Sequence, residues 1–360
     1  MTERAEQAIS QAFDGGQAIL FGRARSAHLA LFEALGLHGR SCILIPSNAC
    51  PSLLACAWAS GAEVRLAPVS AETGVNADAA LARQLRILSR PGRRGAVLLT
   101  HLYGFRLDFT QTRKAAQELG WIAIENDANA SSFAPKTKLE DAARIVSFGP
   151  GKVLDAGSGG AVITRDARLA DELRRIAARY PALDDWAERD EERLMLDRRA
   201  LRNAGRSSDI EATLVRELRQ LRFSFDPEAE EPLLGALAHL PTRLAERQDR
   251  RDNWIEALSG LEPQLQIVDL NQTAPWRLIV RANPKVRDPV VNALRKAGID
   301  AGTNYPSLSH SFPMLTREDA HPDADAWSRS AINLWLDARY DAARINTART
   351  VIETELEALT

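Results

Sequence analysis

Seven short apolar runs alternate with helix-period segments along the first half of the chain. The runs are QAILF (17–21), CILIP (42–46), AEVRLAPV (62–69), GAVLLT (95–100), WIAIE (121–125), RIVSF (144–148) and GAVIT (160–164). Their Val, Ile and Leu content and short length predict β-strands. Most lack polar alternation, as expected of strands covered on both faces in a mostly parallel sheet. Most gaps hold helical patterns: SAHLALFEALGL, CPSLLACAWASG, NADAALARQLRILS and DFTQTRKAAQELG. This order predicts an α/β fold with ligands beyond the carboxyl ends of the strands.

The pattern changes near residue 166. Up to about 260 the sequence is helical and charge-rich, as in ARLADELRRIAARY and DIEATLVRELRQL, with charges at the spacing of solvated helix faces. FDPEAEEP (225–232) reads as the irregular stretch of this middle part. A β/α pattern returns with LQIVDL, WRLIVRA, DPVVNALRKAG, AINLWLD and a last helix, DAARINTARTVIETELEAL. The expected division is a large domain over residues 1–250 and a smaller C-terminal α/β domain over 251–360.

Composition narrows the function classes. A chain of 360 residues, 45% hydrophobic, can bury a full core. A net charge of −2 argues against a general nucleic-acid or anionic-membrane binder. Cys42, Cys50 and Cys56 form no CxxC pair, and the six histidines show no metal spacing. No metal is therefore expected. MTERAEQAISQAFDGG reads as a polar amphipathic helix, not a signal peptide, and no apolar run approaches the roughly 20 residues that span a bilayer. A soluble, cytoplasmic protein is the expectation.

The chemistry centres on RIVSFGPGKVLDAGSGGAVIT (144–164), where a glycine-rich bend between two strands holds Lys152, one of six lysines in an arginine-rich chain. A Walker loop is excluded, because Val153 follows the lysine and Val146 takes the first glycine's place. A dinucleotide fingerprint is excluded, because Gly157, Gly159 and Gly160 lead into a strand and not a helix. A shielded loop lysine can, however, form a Schiff base with an aldehyde, since desolvation lowers its pKa. Pyridoxal phosphate uses such a lysine, with a carboxylate that keeps its ring nitrogen protonated. In WIAIENDANASS, Asp127 is the expected acid, past the strand end, while Glu125 still belongs to the apolar register. For the phosphate, FGRARSAHLALFEALGL offers Gly22, Arg25 and Ser26 at a helix start, and Ser147 adds a hydroxyl.

The run SFGPGKVLDAGSGGAVIT resembles the lysine segment of the DegT/DnrJ/EryC1/StrS family of fold-type I, pyridoxal-phosphate-dependent sugar aminotransferases. The likeness extends in order through LHGRSCILIPSNACPSLLACAWASGAEVRLAPVSAETG, LLTHLYGFRLDF, AIENDANASS and NYPSLSH. It implies Lys152 as the Schiff-base lysine and Asp127 as the ring-nitrogen partner. Ser147 and the backbone at Arg25 and Ser26 would hold the phosphate. It further implies a homodimer with shared active sites, an amino-acid donor (glutamate) and a keto-sugar acceptor on a nucleotide, in polysaccharide or secondary-metabolite biosynthesis. Asn129 and Cys50 are added to the cofactor site, and His310, Tyr305 and Tyr103 are candidates for the substrate.

The chain also departs from the family pattern. PSNACPS offers Asn48 and Cys50 where an aromatic or His usually covers the ring. Ala130 stands three residues after Asp127, where Gln or His is usual, and Val153 follows the lysine in place of Asn. The middle Asn/Arg motif is not recognisable in FSFDPEAEEPLLGALAHL. Two other readings follow: a pyridoxal-phosphate enzyme of the same fold with different chemistry or a non-sugar acceptor, and a non-catalytic homologue acting as a binding protein.

Overall fold

The computed structural model describes residues 2–13, 16–129, 141–203, 207–210, 212–270, 276–312 and 320–359. All seven expected strands lie in one sheet: β1 Gln17–Phe21, β2 Cys42–Pro46, β3 Glu63–Ala67, β4 Gly95–Thr100, β5 Ile122–Asp127, β6 Ala143–Ser147 and β7 Gly160–Thr164. Their spatial order is β1-β7-β6-β5-β4-β2-β3. β6, β5, β4, β2 and β3 are parallel, whereas β7 is antiparallel to β1 and to β6.

Parallel strands need crossovers, and helices supply them. After an N-terminal α1 (Glu3–Ala12), α2 (Ala24–Ala34) follows β1, α3 (Pro51–Ala59) follows β2, α4 (Asp78–Leu88) follows β3 and α5 (Thr110–Leu119) follows β4. One sheet face, with Ile43, Leu98, Ile124 and Ile145, packs on α2 and α3. The other, with Leu44, Val97 and Leu99, packs on α4 and α5. This double covering is why the strands lack polar alternation. Leu29, Leu31 and Phe32 of α2 are fully buried, each stabilising the fold by roughly 2 kcal/mol.

Glycine permits one close approach that shapes the site. A Cβ on Gly160 would stand 2.5 Å from the Cα of Ala24, so a side chain there would push β7 away from the start of α2. Gly159 beside it has φ +100, a left-handed conformation that favours glycine. Arg23 and Gly159 form an isolated parallel bridge.

The middle part begins with α6 (Ala167–Ala177) and α7 (Asp185–Asn203). Two expectations for it change. DIEATLVRELRQL is broken into Ser207–Ile210, Thr213–Glu217 and a 3-10 turn, with the Thr213 hydroxyl donating to the Ile210 carbonyl oxygen at the break, at 2.5 Å. FDPEAEEP is irregular only at Phe225 and Asp226, because Asp226 caps a 3-10 turn by accepting from the Glu228 N–H at 2.9 Å, and a helix over Glu230–Ala238 follows directly.

Helix Leu240–Leu258 leads to a second, antiparallel sheet of order β10-β11-β9-β8, built from β8 Leu265–Val268, β9 Arg277–Ala282, β10 Ala301–Gly302 and β11 Ala331–Trp335. Helices Pro284–Lys296 and Ala342–Leu359 share its core. The fold is the expected fold-type I architecture. Among the described residues no helix is long and apolar enough to cross a membrane, and no group of three His, Cys, Asp or Glu side chains could hold a metal.

Candidate active site

A cavity of about 240 Å³ lies beyond the carboxyl ends of β4, β5 and β6, against the first turn of α2. The loop between β6 and β7 brings Lys152 to it. Asp155 pins that loop by accepting from the N–H groups of Gly151 (2.7 Å) and Gly157 (2.9 Å), and Val153 and Leu154 anchor it in the core. The Lys152 Nζ donates to Asn129 Oδ1 at 2.9 Å and stands 5.4 Å from the Trp276 ring centroid. Burial pushes its pKa down to about 8, because the charged ammonium loses hydration there.

The anion end of the cavity is the start of α2. Ala24, Arg25 and Ser26 are its first three residues, whose N–H groups precede the first intrahelical bond, Ala27 N–H to the Arg23 carbonyl. Ala24 and Arg25 line the cavity, as does Ser147 across from them. The Arg25 guanidinium is paired with Glu191 and lies 3.8 Å from Glu217, and Arg23 meets Glu191 at 3.1 Å. Ser26 turns away: its hydroxyl accepts from the Phe223 N–H at 3.2 Å, outside the cavity lining. Its side chain therefore fastens α2 to the chain after 220, and its expected phosphate contact is left to the backbone.

Asp127 requires a correction. β5 runs to Asp127, two residues beyond WIAIE, so Asp127 still belongs to the alternating register. Ile122 and Ile124 face α2 and α3, and Asn126 continues that row into the cavity. Asp127 shares the opposite face with Ala123 and Glu125 and is absent from the cavity lining. Glu125 there meets Arg144 at 2.7 Å, and Arg106 and His101 each at 3.0 Å. Burial alone would raise the Glu125 pKa, but these partners outweigh it and hold the carboxyl well below its usual range.

The other candidates divide. Cys50, exposed, and Tyr305, stacked on Trp276 at 6.0 Å, both line the cavity. Tyr103 does not. Its hydroxyl accepts from Trp327 Nε1 (2.8 Å), the Tyr305 N–H (3.1 Å) and Asn48 Nδ2 (3.3 Å), so it is a packing centre and not a substrate contact. His310 is exposed in a larger groove of about 1240 Å³, which shares Arg23, Pro150 and Glu191 with the cavity. Ala130 lies outside the described residues.

Among the lining residues that escaped the sequence reading are Asn126, His28 and Glu191. Strand parity counted from Ile122 and Ile124 signals Asn126. His28 Nδ1 bonds the Ala24 carbonyl at 2.8 Å, and burial lowers its pKa to about 4, so the ring is neutral. Nothing in the sequence brings Glu191 of α7 to Arg25.

Comparison with known proteins gives a consistent family. The dTDP-3-amino-3,4,6-trideoxy-alpha-D-glucose transaminase of Streptomyces venezuelae is 28% identical over 255 residues, covering 67% of this chain and 58% of that protein. The enzyme of the same name from Micromonospora megalomicea subsp. nigra is 28% identical over 234 residues, covering 62% of this chain and 53% of its own length. The match thus spans somewhat over half of each relative. Among solved structures, the aminotransferase TlmJ from Streptoalloteichus hindustanus superposes with a TM-score of 0.78 at 18% identity, over 99% of this chain and 91% of that one. The sequence model of the DegT/DnrJ/EryC1/StrS aminotransferase family matches residues 1–353, and the chain belongs to that pyridoxal-phosphate-dependent family.

Proposed function

We propose that this chain is a pyridoxal-phosphate-dependent aminotransferase that moves an amino group from an amino-acid donor, glutamate, to a keto-sugar carried on a nucleotide. The observation that carries the reading is the state of Lys152: a buried amine with its pKa lowered to about 8, aimed by Asn129 into a cavity with an anion-binding helix start opposite. The residues fit the aldehyde and phosphate ends of the cofactor. Lys152 would hold the aldehyde carbon, while the N–H groups of Ala24 and Arg25 and the Ser147 hydroxyl would hold the phosphate. When bound, the cofactor supplies a carbonyl that accepts an amino group and a conjugated ring that spreads the electrons of a broken C–H bond.

The protein's part is positioning and proton transfer. Lys152 Nζ, neutral in an appreciable fraction near pH 8, would accept the proton of the donor's α-carbon and give it back in the reverse direction, as general base and acid. Asn129 orients it by accepting its N–H. The acceptor's place in this reading is the neighbouring groove, where Arg277, Arg287, Arg295 and Arg329 line the walls and suit the phosphates of a nucleotide. His310 and Tyr305 would touch the sugar there and in the cavity. Met195 and Leu196 of α7 are exposed apolar residues on the groove wall, which suits a homodimer whose second copy covers the groove.

Absorption spectroscopy tests the reading. Pyridoxal phosphate should give a visible band with the wild-type chain, and glutamate should bleach it into the amine form. A nucleotide-linked keto-sugar should then restore it. A band unresponsive to every common amino donor would remove transamination, and failure to bind the cofactor would leave a binding protein.

A further inference from the structure

The cavity fits the cofactor at its aldehyde and phosphate ends, but among its described lining residues there is no free acid of the kind a protonated ring needs. Asn126 is what β5 turns to the cavity, on the row of Ile122 and Ile124, while Asp127 stays on the other face. Glu191 is the one carboxylate among the described lining residues, and Arg23 and Arg25 already hold it. Against it the lining sets Arg23, Arg25 and Lys152. A pyridinium in such a place would be desolvated and near an excess of positive charge, both of which favour the unprotonated ring.

The polar groups beside Asn126 point the same way. Asn126 Oδ1 accepts from the Ala128 N–H at 3.4 Å, a group that can only donate, which fixes the amide's orientation. Its Nδ2 donates to Thr100 Oγ1 at 3.4 Å, and its side chain also bonds that of His28, so a ring nitrogen would take over the N–H now shared with His28. His28, on the facing helix, has its Nδ1–H committed to the Ala24 carbonyl, so its buried Nε2 offers a lone pair and no proton.

We propose that Asn126 donates a hydrogen bond to the cofactor's ring nitrogen and that this chain therefore holds the ring unprotonated, with neutral His28 beside it and Asp127 uninvolved. The proposal rests on the cofactor reading above. It makes Asn126 a cofactor-binding residue, and it sets a carboxamide where pyridoxal-phosphate chemistry commonly sets a carboxylate.

The test is nitrogen-15 NMR of the full-length protein loaded with ring-labelled pyridoxal phosphate. The wild-type signal should sit at the downfield position of an unprotonated pyridine nitrogen. Asn126→Asp should move it upfield to the pyridinium position, and Asp127→Asn should leave it unchanged. Should Asn126→Asp fail to fold, the wild type and Asp127→Asn decide alone. A wild-type pyridinium signal overturns the proposal, whether or not Asp127→Asn shifts it. Failure of the wild type to take up the labelled cofactor overturns the cofactor reading itself, and so the two failures are distinct.

Discussion

The two faces of β5 show how one strand serves two purposes. Toward α4 and α5 it carries Glu125, locked with Arg144, Arg106 and His101 in a buried ion cluster. Toward α2 it carries Asn126, an uncharged amide on a cavity that also receives Lys152. On the charged face Glu125 is buried and held by three cationic or imidazole partners, so it contributes rigidity. The amide face is open and carries the candidate chemistry. Adjacent residues are thus divided by parity alone, and polarity is a poor guide to which of them meets a ligand.

The largest effect that sharpens this contrast is on stability. Glu125→Ala should strand Arg144 in the interior and lower the unfolding free energy by about 3–5 kcal/mol in denaturant titration. Asn126→Ala, by contrast, should cost about 1 kcal/mol or less. Equal losses would erase the distinction between the faces.

Acid should expose the α2 side next. His28 has a pKa of about 4 in the folded chain against about 6.5 when unfolded. As pH falls below the unfolded value, the unfolded chain takes up the proton first. Stability should therefore drop by about 3 kcal/mol by the time the folded pKa is reached. A His28→Gln variant should lose that part of the pH dependence in parallel melts; an unchanged profile would place the acid sensitivity elsewhere.

Smaller still, Tyr103→Phe leaves three donors without their acceptor and should cost about 1–3 kcal/mol, with cofactor affinity unaltered. A matching loss of cofactor affinity would return Tyr103 to the site. Finally, with the Lys152 pKa near 8, the neutral amine fraction rises with pH. Cofactor capture by the apoprotein should be about tenfold faster at about pH 9 than at about pH 7 in stopped-flow absorbance. A flat rate profile would contradict the lowered pKa.

Much of this was legible in the sequence. The seven strands were marked by their apolar runs, because each is covered on both faces. Lys152 was marked by its glycine-rich hairpin, and Tyr305 and Cys50 by their flanking motifs. Asp127 was misread because a strand end cannot be located to one residue from composition: Asn and Asp look alike as terminators, yet both lie within β5. The partner of the Ser26 hydroxyl was not legible, because a helix-start hydroxyl can cap, bind or, as here, tie to the distant Phe223 backbone. Glu191 was invisible, since its ion pair with Arg25 closes across more than 160 residues.

The central claim is that Lys152 is the covalent anchor of the cofactor. The most direct measurement is borohydride reduction of the cofactor-loaded protein, followed by proteolysis and mass mapping of the modified lysine. The account predicts a single pyridoxyl adduct on the peptide carrying Lys152 and none in Lys152→Ala. A stoichiometric adduct on Lys114, Lys285 or another lysine, or one that survives in the variant, would contradict it.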